Sequence, residues 1–182
     1  MDIIHPNERI AALIGQVPIH EYAFFSPRQV PFLDEVRSLC EKNVCGQYGT
    51  CWACPPAVGT IAECRERCLA YTQAGLFTTV SALRSHYDIE GWKTARKQHE
   101  KVTDAVVNEF RKYDKDLLAL STEGCMVCKK CTYPDAPCTH PQRMYPATEG
   151  FGIMVVQLAK ICQVKYNNGP NTVTYFSMLF FN

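Results

Sequence analysis

Cysteines stand at 125, 128, 131 and 138 in the run Cys-Met-Val-Cys-Lys-Lys-Cys-Thr-Tyr-Pro-Asp-Ala-Pro-Cys, a C-x2-C-x2-C-x6-C spacing. Few patterns restrict a chain more. Three thiols two residues apart on one short loop can meet three corners of a cubane, each on a different iron, with a fourth thiol arriving from farther along. Structural zinc more often takes two separated C-x2-C knuckles and closes a tetrahedron. The spacing therefore points to a [4Fe–4S] cluster held by Cys125, Cys128, Cys131 and Cys138, with zinc as the alternative. It resembles the bacterial ferredoxin run, except that the last spacer is longer and Pro137 precedes the final cysteine.

The remaining cysteines sharpen this reading. There are 11 in 182 residues, an odd number, so complete pairing into disulfides is impossible. Residues 1–15 carry Asp2, Glu8 and Arg9 and show no apolar signal core. No stretch reaches the apolar length of a membrane span. Reduced thiols, metal binding and a cytoplasmic location are expected from that combination. With 19 basic and 18 acidic residues the net charge is +1, which gives no footprint for nucleic acid or a membrane surface.

A second cysteine-rich stretch holds Cys40, Cys45, Cys51 and Cys54, with Gly46, Gly49 and Gly59 and the Pro55–Pro56 pair. Cys45, Cys51 and Cys54 are candidates for a second metal site or for extra ligands to the first. A redox dithiol at Cys51-x2-Cys54 would need a strand before it and a helix straight after it, which the glycines and prolines oppose. Cys64 and Cys68 lie four apart on an expected helix and read as packing, and Cys162 reads as core.

Hydrophobic periodicity outlines the rest. Strands are expected over 17–25, 76–83 and 172–181, with a short one ending at Ser121. Helices are expected over 29–40, 61–72, 90–118 and 149–164. On the longest, Trp92, Ala95, Val102, Val106, Phe110, Tyr113 and Leu117 form one stripe. The fold class is α/β (or α+β): a small mixed sheet with packed helices, one domain over 1–182, and two cysteine-rich metal-binding loops at about 40–60 and 124–146. The last strand, Thr174 to Phe181, is too apolar for an open edge and should be central or covered.

Other chemistry is sparse. No H-E-x-x-H, P-loop, G-x-S-x-G, G-x-G-x-x-G or C-x3-C-x2-C motif occurs. The histidines at 5, 20, 86, 99 and 140 make no ligand-spaced pair, although His140 lies near the cysteine loop. Lys129 and Lys130 read as a solvated pair, and Trp52 as either a shield or ordinary core. Glu149 is placed in the first turn of a helix, where it suits the dipole.

At these residues the chain resembles the DUF2284 family of prokaryotic proteins described as predicted metal-binding. The resemblance covers most of the chain. It rests on Cys45-Gly46-x-Tyr48-Gly49, on Trp52-x-Cys54-Pro55-Pro56-x-x-Gly59 and on Cys125-x-x-Cys128-x-x-Cys131-Thr132-Tyr133-Pro134. Pro137-Cys138 and the tail from Tyr166 through Tyr175 extend it. The family pattern has Gly-Ile-Asp-Val where this chain has Gly152-Ile153-Met154-Val155, and Ser-hydrophobic-Glu where it has Ala147-Thr148-Glu149. The resemblance implies metal binding and supplies no reaction. Three roles fit: a redox module with a redox partner, an enzyme-like pocket for a small-molecule substrate, or a zinc-bearing structural or interaction module. The second cysteine loop favours a pocket, formed where the two loops meet.

Overall fold

The computed structural model describes residues 5–182. A four-stranded sheet is its centre. The strands are β1 (Tyr22–Phe25), β2 (Gln73–Ala82), β3 (Leu118–Leu120) and β4 (Thr172–Phe181), in the order β1-β2-β4-β3. Every pairing is antiparallel, so the expected mixture of helices and strands is present while the sheet is not mixed in direction. β2 and β4 pair along their full length, Gln73 opposite Phe181 and Ala82 opposite Thr172.

β4 lies between β2 and β3, which accounts for its apolar sequence. Alternate side chains serve opposite faces. Phe176, Met178 and Phe180 join Leu76, Phe151, Ile153 and Leu158 on one face. Leu179 and Phe181 join Phe77, Val102, Val106 and Phe110 on the other. Helices α3 (Ile61–Leu69) and α5 (Val155–Ile161) contribute to the first core. Helices α1 (Pro6–Ala11) and α4 (Ile89–Arg111) contribute to the second. α2 (Asp34–Glu41) packs against a 3-10 turn at Glu149–Phe151.

The observed bounds differ from the expected ones for local reasons. Residues 27–29 form a 3-10 turn, Val30 is extended before Pro31, and α2 begins only at Asp34. The expected helix over 149–164 is interrupted at Gly152, whose φ of 77° suits a residue without a Cβ. Only 22–25 of the expected strand over 17–25 is laddered, although His20 still donates to the Thr78 carbonyl at 2.8 Å. α1 has no counterpart in the expected elements; the His5 side chain caps it and Pro6 opens it.

On α4 the expected stripe is shifted. Trp92 and Tyr113 are 38% and 43% exposed, while His99 and Thr103 are fully buried. The imidazole bridges Thr79 Oγ1 at 2.9 Å and Ser177 Oγ at 2.8 Å, and Ser177 also meets Thr103 and Ser121. A buried polar chain thus fastens α4 to β2 and β4. Ser121 carries it on to the carboxylate of Glu100 at 2.7 Å.

Candidate metal centre

Beyond β3 the sheet edge runs into the cysteine loops. Ser121 N–H donates to Pro146 O, Thr148 N–H to Ser121 O, and Ala147 N–H to Ala53 O, each at 2.9 Å. These bonds hold residues 51–54, 121–125 and 145–148 side by side. Gly49 N–H donates to Pro55 O at 2.8 Å, and the φ of 69° at Gly49 allows that return of the chain. Gln47 sits so close to Gly124 that a Cβ there would meet its side chain.

The two loops therefore pack against each other. Cys51, Ala53, Cys54 and Ala147 form a small buried cluster, with Cys125, Cys131 and Met144 against it. Trp52 lies edge-to-face on Tyr133, ring centroids 5.0 Å apart, and its indole N–H donates to Ala136 O at 3.1 Å. The peptide bonds Pro55–Pro56 and Tyr133–Pro134, one in each loop, are cis.

Between the loops is a cavity of about 170 Å³. Its lining includes all four cysteines of the C-x2-C-x2-C-x6-C run, Cys125, Cys128, Cys131 and Cys138, together with Cys51. Lys129, His140 and Met144 also reach it. Cys128 Sγ lies 3.5 Å from Thr139 Oγ1. No cysteine is in a disulfide. Among the described residues no three His, Cys, Asp or Glu side chains converge as a single ion would require.

The sulfurs differ in electrostatic setting. A hydrogen bond from the Cys54 thiol brings Cys51 down to about 5, against the cost of burial; the N–H groups of Cys125, Ala53 and Cys54 add to the effect. Cys54 moves the other way, because it is the donor to Cys51, is buried, and is within electrostatic reach of Cys51, Cys45 and Cys40. Burial also raises Cys125, with the charges of Cys51, Cys138 and Cys128 acting in the same direction. Of this pair, Cys51 is therefore favoured as thiolate and Cys54 as thiol.

The other sequence candidates fall in different places. Cys45 is exposed and Cys40 half-buried, both outside the cavity lining. Cys64 and Cys68 are fully buried on the inner face of α3, so they are packing residues. Cys162 packs against the same core. No strand leads directly into Cys51, which follows α2 through turns, and the next helix begins only at Ile61, so the setting of a thioredoxin-type dithiol is missing. His140 lines the cavity, a placement that proximity in sequence had suggested. Of the candidate extra ligands Cys45, Cys51 and Cys54, the fold brings Cys51 to the lining of the same cavity.

A family model described as a predicted metal-binding protein (DUF2284) matches residues 23–181. The chain belongs to this family. No curated protein and no solved structure matches it. Met154, where the resemblance leads an aspartate to be expected, has a local role in this DUF2284 protein. Met154 is the N-cap of α5, with no side-chain cap hydrogen bond. An aspartate is an ordinary capping residue at such a position. No helix among the described residues is long and apolar enough to cross a membrane.

Proposed function

We propose that this metal-binding protein carries an iron–sulfur cluster of the [4Fe–4S] type on Cys125, Cys128, Cys131 and Cys138. The observation that carries the reading is the lining of one cavity of about 170 Å³ by all four thiols. Three of them, Cys125, Cys128 and Cys131, are spaced two residues apart on one loop. That spacing suits a cubane, which spreads its ligands over four irons, better than zinc, which gathers them on one ion. Cys51 is a fifth thiol on the same cavity, so it can replace or supplement Cys138, and Cys54 supports it by hydrogen bonding. Such a cluster supplies either one-electron redox chemistry or an open iron for a substrate. Trp52, packed across the two loops, holds them together beside the cavity. A redox partner or a small-molecule substrate completes the reading, in a reducing cytoplasm where the free thiols persist.

Metal and sulfide analysis of anaerobically purified protein tests it. Iron with acid-labile sulfide, and a brown colour, is the expected result. Stoichiometric zinc without sulfide would replace this reading with the structural zinc module.

A further inference from the structure

A second cavity, of about 440 Å³, lies where the turn before β4 meets α4 and the Glu149 turn. Its size suits a small molecule. Two aromatic pairs line it: Tyr166 stacked on Phe176, centroids 5.5 Å apart, and Trp92 edge-on to Tyr175 at 6.5 Å. Two carboxylates, Glu123 and Glu149, also line it, and no Lys, Arg or His does. Glu123 is paired with Arg96 at 2.7 Å. Among the described residues Glu149 has no ion pair and no side-chain hydrogen bond from another residue.

We propose that this cavity binds a small organic cation, an ammonium or guanidinium compound, with Glu149 as its counter-charge and the rings of Trp92 and Tyr166 as its walls. Glu149 is part-buried, and apart from its own backbone N–H no group among the described residues balances its charge, so a cation supplied by a ligand would be its counter-ion. Burial accordingly holds the Glu149 carboxyl above its ordinary range, with Glu123 adding to the effect. Electron-rich rings attract the same charge, also at part-exposed positions such as Trp92 and Tyr166. A neutral or anionic ligand would use neither feature. The cavity also has a structural link to the metal centre. Ala147 packs against Cys54, and Glu149 follows two residues later. Trp92, Glu123 and Tyr175 continue into an adjoining groove that reaches Met126, next to Cys125. The inference does not depend on which metal the cysteines hold.

Calorimetric titration of the anaerobically purified protein with benzylamine, agmatine and choline, and with benzyl alcohol as the neutral control, tests the assignment. At least one cation is expected to bind 1:1 with Kd below about 1 mM. Glu149→Gln should weaken that binding at least tenfold, about 1.4 kcal/mol. Tyr166→Leu, at a half-exposed position, should weaken it severalfold and serves if the first variant does not fold. Failure of all three cations, benzyl alcohol binding as tightly as benzylamine, or unchanged binding in folded variants would overturn the proposal. Metal content, measured on the same samples, reports separately on the cysteine site.

Discussion

The indole N–H of Trp52 donates to the backbone carbonyl of Ala136, 84 positions along the chain, at 3.1 Å. The same ring meets Tyr133 edge-on. One side chain therefore ties the loop of Cys51 and Cys54 to the loop of Cys125–Cys138. The shared cavity depends on both loops keeping their relative position, and neither is a regular element.

Trp52→Phe should keep much of the ring contact and lose the hydrogen bond. A neutral hydrogen bond contributes about 1 kcal/mol, so bound metal is expected to leave about fivefold faster. The measurement is the rate of metal transfer to a chelator under anaerobic conditions. A rate equal to that of the wild type would show that the loops are held in register without Trp52.

Cys128→Ser and Cys162→Ser separate ligation from packing. Cys128 lines the cavity, whereas Cys162 caps α5 and packs on the core. The first variant should lose most of its metal and the second should retain it, with a stability cost of about 1 kcal/mol or less at the core site. Equal metal content in the two, measured by elemental analysis, would contradict the assignment.

The parts of this molecule that are legible in the sequence are those set by neighbours along the chain. The apolar run from Thr174 to Phe181 is recognisable as a central strand, and three cysteines at two-residue spacing are recognisable as one loop. The breaks at Pro31 and Gly152 follow steric rules for those residues, yet the apolar periodicity carries the expected helices 29–40 and 149–164 through both. What could not be read depends on distant partners. His99 and Thr103 look like polar-face residues of α4, yet Thr79 and Ser177 satisfy them and make them core. Which of the candidates Cys45, Cys51 and Cys54 reaches the cavity is likewise set at a distance, since Ala53 pairs with Ala147, which lies beside Ser121, and this brings Cys51 in.

His99 should make stability fall in mild acid. Burial depresses its folded-state value to about 4, below an ordinary value of 6.5. Above the ordinary value the ring is neutral in both states and the contribution is complete. As the pH falls from about 6.5 to about 4, only the unfolded chain takes up the proton, so stability is lost through that window. The loss is on the order of 3 kcal/mol. His99→Gln should be less stable at neutral pH because its hydrogen bonds to Thr79 and Ser177 are altered, but its urea midpoint should vary less across the window. Parallel curves for the two proteins would show that His99 does not titrate as its burial implies. Glu100 and Glu149 are shared by both proteins, so their opposing effect cancels in the comparison.

Met154→Asp tests whether an aspartate at this position, as the sequence resemblance leads one to expect, would be structural. Met154 is the N-cap of α5, its backbone is extended, and no side chain accepts from the first-turn N–H groups. Met154 N–H is already engaged by Pro31 O at 2.9 Å, which fixes the position independently of the side chain. A carboxylate there would accept a first-turn N–H and favour the helix dipole. The substitution should stabilise the protein by about 1 kcal/mol, a rise in Tm of roughly 3 °C for a chain of this size. Metal content should stay unchanged, because residue 154 does not line the cysteine cavity. Differential scanning calorimetry alongside elemental analysis reads both quantities. A change in metal content without a gain in Tm would mean that the aspartate acts at the metal centre and not as a cap.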